Sequence, residues 1–405
     1  MEKSPKERVD LKTFKAIPRG IWAIGFVSLF MDTSSEMIHA LLPIYMISVL
    51  GTSTLVVGII EGIAEATAAI TKVFSGAISD WIGKRKLLAV IGYGLAAFTK
   101  PIFPLADTIG WLIGARFIDR IGKGIRGAPR DALVVDIAPA DVRGASFGLR
   151  QSLDTIGAFM GPLIAIGLMY LTANNFKVVF WVAVIPGFIS LALMMFAVKD
   201  PVRAPNPKPI KFPLQRSQIA LLPAAFWRVV GVASVFTLAR FSEAFLILKA
   251  QAVGLPIALV PAIMVVMNIV YAASAYPVGV LSDGPKGRDR ILIVGLLLLI
   301  AADVVLGIAS DMWIVGLGVI LWGLHMGFTQ GLLSALIADT APSGLRGTAY
   351  GIFNLATGIA LLIASALAGF LWQTFGSSVT FFAGAALASL SLVGFMVLAR
   401  TSRLN

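Results

Sequence analysis

The chain contains no cysteine, which excludes disulfides and thiol chemistry and leaves the redox compartment undetermined. Charged residues are also scarce. They make up 13% of the 405 residues, whereas a soluble domain usually carries about 25% because its surface needs them. Hydrophobic residues account for 58% of the chain and the mean hydropathy is +0.89. This composition excludes most soluble folds and indicates a protein whose solvent is lipid.

Long apolar runs separated by short polar loops predict an all-α membrane protein with twelve transmembrane helices, because each crossing takes roughly 20 apolar residues. The predicted spans are residues 21–48, 54–76, 87–105, 110–130, 147–171, 178–198, 224–249, 255–280, 291–309, 312–338, 347–372 and 376–399. The predicted organisation is an N-terminal segment at 1–20, a six-helix bundle at 21–198, a linker at 199–220, a second bundle at 221–400 and a tail at 401–405.

The net charge of +12 does not indicate nucleic-acid binding, because the basic residues stand in short loops at regular intervals between the apolar runs. With twelve spans, the basic loops at Lys84, Arg143, Arg288 and Arg346 all fall on one side of the membrane. Cytoplasmic loops are the ones that carry such an excess of Lys and Arg. We therefore expect a multi-pass protein of the inner membrane with both termini and the linker in the cytoplasm.

The two halves of the chain repeat each other. Three motifs recur at a constant offset of 203 residues: Asp80 recurs as Asp283, Asp136 as Asp339 and Arg143 as Arg346. A shared offset across several motifs predicts two pseudo-symmetric six-helix bundles that face each other across a cavity near the bilayer midplane. We expect spans one, two, four, five, seven, eight, ten and eleven to line that cavity.

The loop after span two reads Gly76-x-x-x-Asp80-x-x-Gly83-Lys84-Arg85-Lys86. With its weaker copy near Asp283, it resembles a signature of the major facilitator superfamily, and the resemblance covers essentially the whole chain. The resemblance implies alternating access, with this loop joining the halves in one state, and Arg143 is the expected partner of Asp80. The predicted gating residues are Gly76, Asp80, Gly83, Lys84, Arg85, Arg143, Gly157, Gly161, Pro162, Asp283 and Arg346.

Two further motifs resemble those of proton-coupled members of the family. Arg120-x-x-Lys123-Gly124 in span four resembles a motif whose arginine is linked to proton coupling, although Lys123 stands where glutamine is usual. Gly157-x-x-x-Gly161-Pro162 in span five resembles the signature of proton-driven drug antiporters. The segment Asp32-Thr-Ser-Ser-Glu36-Met resembles a group of bacterial permeases, most of which have no assigned substrate, so it implies no ligand.

Ionisable residues inside the predicted spans are the candidates for proton coupling and for the substrate cavity, because an unpartnered charge in the bilayer costs several kcal/mol. They are Asp32, Glu36, His39, Glu61, Glu65, Arg116, Asp119, Arg120, Asp154, Arg240, Glu243 and His325. We expect Glu36 or Asp32 to take up and release the proton and Arg120 to tune that step. We expect the acids that balance span four to come from Asp32, Glu36 or Asp154.

The leading hypothesis is a proton-coupled transporter that works as a monomer, needs no cofactor and exports a small amphipathic molecule. A transporter of a metal ion or metal chelate is the alternative, because Asp32, Glu36 and His39 share one helical face. A membrane sensor or enzyme is a remote alternative. The sequence contains neither a Gly-x-x-x-x-Gly-Lys phosphate loop nor a His-Glu-x-x-His zinc motif, so neither ATP drive nor zinc hydrolysis has a visible basis.

Overall fold

The computed structural model describes residues 16–82, 84–139, 142–200, 219–282, 287–342 and 345–401. The helices of the first half are α1 (Arg19–His39), α2 (Leu42–Ser48), α3 (Thr54–Ile82), α4 (Arg85–Thr99), α5 (Ile102–Leu105), α6 (Ile109–Ile137), α7 (Arg143–Leu171) and α8 (Phe176–Phe196). Those of the second half are α9 (Ala224–Ala239), α10 (Ala244–Ala252), α11 (Ala262–Ser282), α12 (Gly287–Ile308), α13 (Met312–Thr340), α14 (Arg346–Phe375) and α15 (Ser377–Thr401).

These helices form twelve spans, because three spans are each built from two consecutive helices: α1 with α2, α4 with α5, and α9 with α10. Local sequence explains where some helices begin. Pro43 occupies the first turn of α2, a position where proline loses no helical hydrogen bond. Asp311 caps α13 by accepting hydrogen bonds from the backbone N–H groups of Trp313 and Ile314 at 2.8 and 3.0 Å, which satisfies two of its free donors.

Among the described residues, ten segments are long and apolar enough to cross a membrane by composition alone. Two spans fall outside this group: the span built from α1 and α2, and the span formed by α6. Both contain several of the ionisable residues singled out from the sequence, including Asp32, Glu36, Arg116 and Arg120. The weakly apolar spans are therefore the ones in which charge has to be explained by partners.

Each half of the chain is a bundle of six spans. In the first bundle, span one packs on spans five and six, span four on spans two and three, and span three on span six. The second bundle repeats these five pairings six spans later: seven with eleven and twelve, ten with eight and nine, and nine with twelve. The all-α fold with two pseudo-symmetric six-helix bundles, predicted from the repeat, is confirmed.

The bundles meet along two symmetry-related pairs of spans, two with eleven and five with eight. The predicted linker at 199–220 falls largely on 201–218, outside the described residues. Most of the predicted N-terminal segment and tail also lies outside them, at 1–15 and 402–405.

Candidate substrate cavity and its ion pairs

A cavity of about 660 Å³ lies between the two bundles. Its lining comes from spans one, two, four and five of the first bundle and from spans seven, eight, ten and eleven of the second. These are the eight spans that the sequence predicted. In the long spans two, four and ten, the lining extends to Lys72, Arg130 and Leu333. Those three positions lie towards the side of the molecule where the first helix begins and the last helix ends.

Spans two and eleven are in close contact in the other half of the molecule. A Cβ atom added to Gly58 would collide with the backbone oxygen of Ser365. One added to Gly369 would lie 2.6 Å from the backbone oxygen of Thr54, whose hydroxyl donates to the Gly369 carbonyl at 3.4 Å. Glycine allows this backbone approach, so the cavity is closed at the end away from the termini.

Behind the cavity wall, three spans are joined by a buried ion pair and a histidine. The Arg116 guanidinium donates to Glu61 Oε2 at 2.7 Å, and the two side chains are 3% and 0% exposed. His39 Nε2 lies 3.5 Å from the same Glu61 oxygen, and His39 Nδ1 lies 3.5 Å from Glu36 Oε2. Because Glu36 and His39 line the cavity, this group of residues connects the cavity to the bundle interior.

A second set of ion pairs holds span four against spans two, three and one. Arg120 Nη1 donates to Glu65 Oε1 at 3.2 Å, and Arg120 Nε lies 3.5 Å from Asp119 Oδ2. Lys100 of the connection between α4 and α5 donates to Asp119 Oδ1 at 2.9 Å and to Ser35 Oγ at 3.0 Å. Each charge in this set therefore has a partner, which is the condition for keeping it in a membrane helix.

For Arg116 and Arg120 of span four, the balancing acids differ from those expected. The sequence suggested Asp32, Glu36 or Asp154, but the direct partners of Arg116 and Arg120 on another span are Glu61 and Glu65 of span two. The physical reason is that span four packs closely on span two. The two acids are one helical turn apart, and so are the two arginines. This packing therefore places each acid opposite one arginine.

Asp32 of span one and Asp154 of span five both line the cavity, and their carboxyl groups are neighbours in its wall. Arg130 Nη1 lies 3.4 Å from Asp154 Oδ1, and Arg150 Nη1 lies 3.6 Å from the same oxygen. No described basic side chain lies within 4.0 Å of Asp32. The pair is therefore asymmetric, with both positive charges on the Asp154 side.

The glycine motif of span five creates this proximity. A Cβ atom on Gly157 would lie 3.1 Å from Asp32 Cβ, and one on Gly161 would lie 2.9 Å from Glu36 Cβ. Pro162 is buried inside α7. The motif thus brings the backbones of spans one and five into contact. Asp154 lies on the same face of span five as Gly157.

Span seven contributes Arg240 and Glu243 from a break in its helix. α9 ends at Ala239 and α10 begins at Ala244, and the backbone N–H of Ser242 between them is held by the Ser365 hydroxyl at 3.1 Å. Both Arg240 and Glu243 line the cavity. A break in a span is tolerated where the backbone lies beside a polar cavity.

His325 does not line the cavity. Its side chain is 0% exposed inside the second bundle, and its Nδ1 lies 3.0 Å from the Gly295 carbonyl oxygen. The ring also packs 5.4 Å from the Phe236 ring. The structure therefore places His325 in the core of the bundle, as a hydrogen-bonded residue.

The sequence analysis missed several residues of this region. Lys100, Arg130 and Asp303 were not among the candidate site residues, although the first two make the contacts described above. Asp303 in span nine is 0% exposed, and neither of its carboxyl oxygens has a hydrogen-bond partner in the described part of the chain. In the sequence, Asp303 is a single acid inside an apolar run, and an ionisable residue in a span is by default a candidate functional residue.

Part of the predicted gating loop is described. Lys84 directly precedes α4, and Arg85 Nη1 donates to Asp136 Oδ1 at 2.7 Å and to the Ala132 carbonyl at 3.0 Å. Arg143 Nη2 donates to the Val135 carbonyl at 3.4 Å. The loop after span two is thereby tied to the end of span four, within the first bundle.

The other gating positions remain predictions. Gly76 lies within α3, where a Cβ atom would make ordinary contact with Ala128 Cβ at 3.4 Å. Gly83 and Asp283 lie outside the described residues, and so do the side chains of Asp80 and Arg346. The expected pairing of Arg143 with Asp80 is therefore not tested.

Within the described ranges, no group of three or more His, Cys, Asp or Glu side chains is arranged to hold a metal ion. Around His39, the buried Glu61 carboxylate is already engaged by Arg116 at 2.7 Å. No described contact favours the metal alternative.

Two six-span bundles around a polar cavity closed at one end define a multi-pass membrane transporter of small molecules. The model of the Major Facilitator Superfamily matches residues 24–283 and 244–404, and the chain belongs to this superfamily. It is 32% identical over 391 residues to the uncharacterized MFS-type transporter MJ1317 of Methanocaldococcus jannaschii, covering 93% of this chain and 94% of that protein.

A second relative is the inner membrane transport protein YajR of Escherichia coli, with 25% identity over 394 residues, covering 95% of this chain and 84% of YajR. Among solved structures, a POT family transporter in complex with a thioalcohol-conjugated peptide matches with a TM-score of 0.79. That match has 15% identity and covers 96% of this chain and 99% of the other, so it shows the shared fold.

Proposed function

We propose that the protein is a proton-coupled secondary transporter of the inner membrane that exports a small amphipathic molecule by alternating access. The observation that carries the proposal is the carboxyl pair of Asp32 and Asp154 in the cavity wall. We further propose that the protein works as a monomer with both termini in the cytoplasm. Transport, not the making or breaking of covalent bonds, is then its activity.

The carboxyl pair supports proton binding on simple chemical grounds. Two carboxylates repel each other, whereas two carboxyl groups that share one proton form a hydrogen bond. Arg130 and Arg150 both lie beside Asp154, so Asp154 is the group held as an anion. Asp32 then carries the proton. Separating spans one and five, or bringing a cation to the cavity, would release it.

Glu36 is the second group proposed to exchange protons. It lines the cavity one turn from Asp32, and its Oε2 is buried with no hydrogen-bond partner and with His39 3.5 Å away. The direct partners of Arg120 are Glu65 and Asp119. Its influence on Glu36 is therefore a longer-range electrostatic one. One charge moved through 100 mV gains about 2.3 kcal/mol, which is enough to drive accumulation.

Export agrees with the proposed topology. With the termini in the cytoplasm, the cavity lies towards the cytoplasm and the contact of span two with span eleven closes the outer end. An exporter loads its substrate in this state. The Gly157-x-x-x-Gly161-Pro162 motif, which resembles that of drug antiporters, also favours export, and the similarity to the inner membrane transport protein YajR favours the inner membrane.

The test is compound-triggered proton movement in proteoliposomes that contain a pH-sensitive dye, with a panel of amphipathic compounds added outside. We expect active compounds to move protons through the wild-type protein and not through Asp32→Asn or Glu36→Gln. Asp107→Asn is the matched control, because Asp107 is an acid with an 80% exposed side chain outside the cavity. Proton movement that survives in both cavity variants would refute the proposed sites.

A further inference from the structure

The two walls of the cavity differ in chemistry. On the first bundle, the apolar lining residues are only alanine and glycine, and the others are ionisable. On the second bundle, the lining includes large apolar side chains, namely Phe236, Phe241, Met264, Leu333, Phe353 and Leu361. A ligand that contacts both walls therefore needs a charged end and an apolar body.

The charge that this ligand needs follows from the pairing of the lining residues. Arg130 contacts Asp154, Glu65 contacts Arg120 and Glu36 contacts His39. Four other basic residues line the cavity, and none of their side chains has an acidic partner within 4.0 Å or a hydrogen bond in the described part of the chain. They are Lys72, Lys123, Arg126 and Arg240.

The acids that remain do not balance these four cations. Asp32 neighbours Asp154 and has no basic side chain within 4.0 Å, and Glu243 is the other lining acid that no basic side chain contacts within 4.0 Å. Because an unpaired charge in a membrane protein is costly, the four cations without an acidic contact favour a negatively charged occupant.

Arg126 is the best-defined donor of the four. Its side chain is 5% exposed, its guanidinium carbon lies 5.0 Å from the centre of the Tyr93 ring, and its Nη1 has no hydrogen-bond partner. Gly92 lets span three approach closely, since a Cβ atom there would lie 2.7 Å from the Arg126 backbone nitrogen. A stacked guanidinium with a free N–H is suited to a carboxylate or phosphate group.

Arg240 lies on the opposite bundle, at the break in span seven. A single anionic group that meets Arg126 or Lys123 on one side and Arg240 on the other would contact both bundles. A ligand bound in this way would favour approach of the bundles, which alternating access requires at the open end.

We propose that the substrate is an amphipathic organic anion, whose acidic group binds Arg126, Lys123 and Arg240 and whose apolar body packs on the second bundle. This proposal rests on the proposed function of the cavity as the transport site. A volume of about 660 Å³ is within the range for drug-sized ligands.

The test compares three probes of one shape on the purified, full-length protein: 1-naphthylacetate, its neutral amide and 1-naphthylmethylammonium. Binding is measured by calorimetry and by thermal shift. We expect binding of the acid alone, weakened about tenfold or more by Arg126→Gln and by Arg240→Gln, since a charge-assisted hydrogen bond contributes about 1.5–3 kcal/mol. Arg126→Lys should restore part of the affinity because it keeps the charge.

Lys177→Gln is the matched control, because Lys177 is a cation with a 49% exposed side chain that pairs with Asp107 outside the cavity. Its affinity for the acid should equal that of the wild type. Three results would overturn the proposal: binding of the ammonium compound instead, no binding of the acid, or binding of the acid that is unchanged in both arginine variants. Proton-coupled transport of cationic compounds would also overturn it while leaving the proposed function intact. Binding of the acid without any proton movement would refute the proposed proton coupling and leave the proposed substrate class intact.

Discussion

The Arg116 guanidinium of span four lies 2.7 Å from the Glu61 carboxylate of span two, and neither side chain is more than 3% exposed. This ion pair stands behind the cavity wall, where His39 also approaches Glu61 at 3.5 Å. Spans two and four are therefore locked together by charge in a region where the bilayer would otherwise exclude both groups. The first bundle can then move as a unit.

Removing one partner of this pair should destabilise the fold. Arg116→Gln leaves the Glu61 charge buried and without its main partner, which typically costs about 3–5 kcal/mol. We expect a marked drop in the Tm of the detergent-purified protein. The double variant Arg116→Gln with Glu61→Gln should recover much of the loss, because no uncompensated charge remains. Equal Tm values for the single and double variants would contradict this account.

The absence of cysteine makes the open end of the cavity directly measurable, since any introduced cysteine is the sole thiol of the chain. Thr357→Cys places a thiol in the cavity lining. Ser310→Cys places one in the exposed connection between α12 and α13, at the opposite end. A membrane-impermeant maleimide should label the first variant from the side of the termini and the second from the other side. Labelling of both from one side would show that the cavity opens differently.

Closure between spans two and eleven should depend on Gly58. Gly58→Ala sets a Cβ atom against the Ser365 backbone oxygen, and a backbone atom has little freedom to move aside. The closed end should then separate and shift the population away from the present state. The readout is slower maleimide labelling of Thr357→Cys from the side of the termini. Gly167→Ala is the control, because nothing lies within 4 Å of a Cβ atom at Gly167.

The sequence was informative about the fold because hydropathy, basic loops and the internal repeat are local or periodic signals. It predicted twelve spans and the eight that line the cavity. It also grouped Asp32, Glu36 and His39 correctly on one face, since helical spacing alone decides this.

Partners across spans could not be predicted in the same way. Whether Arg116 meets Glu61 or Glu36 depends on the rotation of span four against its neighbours, which the packing of the whole bundle decides. The stacking of Arg126 on Tyr93 likewise requires the close approach of spans three and four at Gly92. His325 was proposed from residue type alone, and the structure places it in the core instead of the cavity.

The buried Asp303 provides a final prediction about packing in the second bundle. A Cβ atom at Gly384 of span twelve would lie 2.7 Å from Asp303 Oδ2 and 3.1 Å from Phe241 Cε1. Gly384→Ala should therefore destabilise the protein by about 1–3 kcal/mol, as overpacking of a filled core does, and should lower its Tm.

The neighbour that causes this loss can be identified with a second change. Asp303→Ala removes the carboxyl group that the new methyl group would strike, so the double variant should be more stable than Gly384→Ala alone. Gly231→Ala is the matched control in span seven, because nothing lies within 4 Å of its added Cβ atom and alanine favours the helix. If the Asp303 change failed to relieve the loss, the collision would have to be with Phe241, and the site around Asp303 would be less tightly packed than the distances indicate.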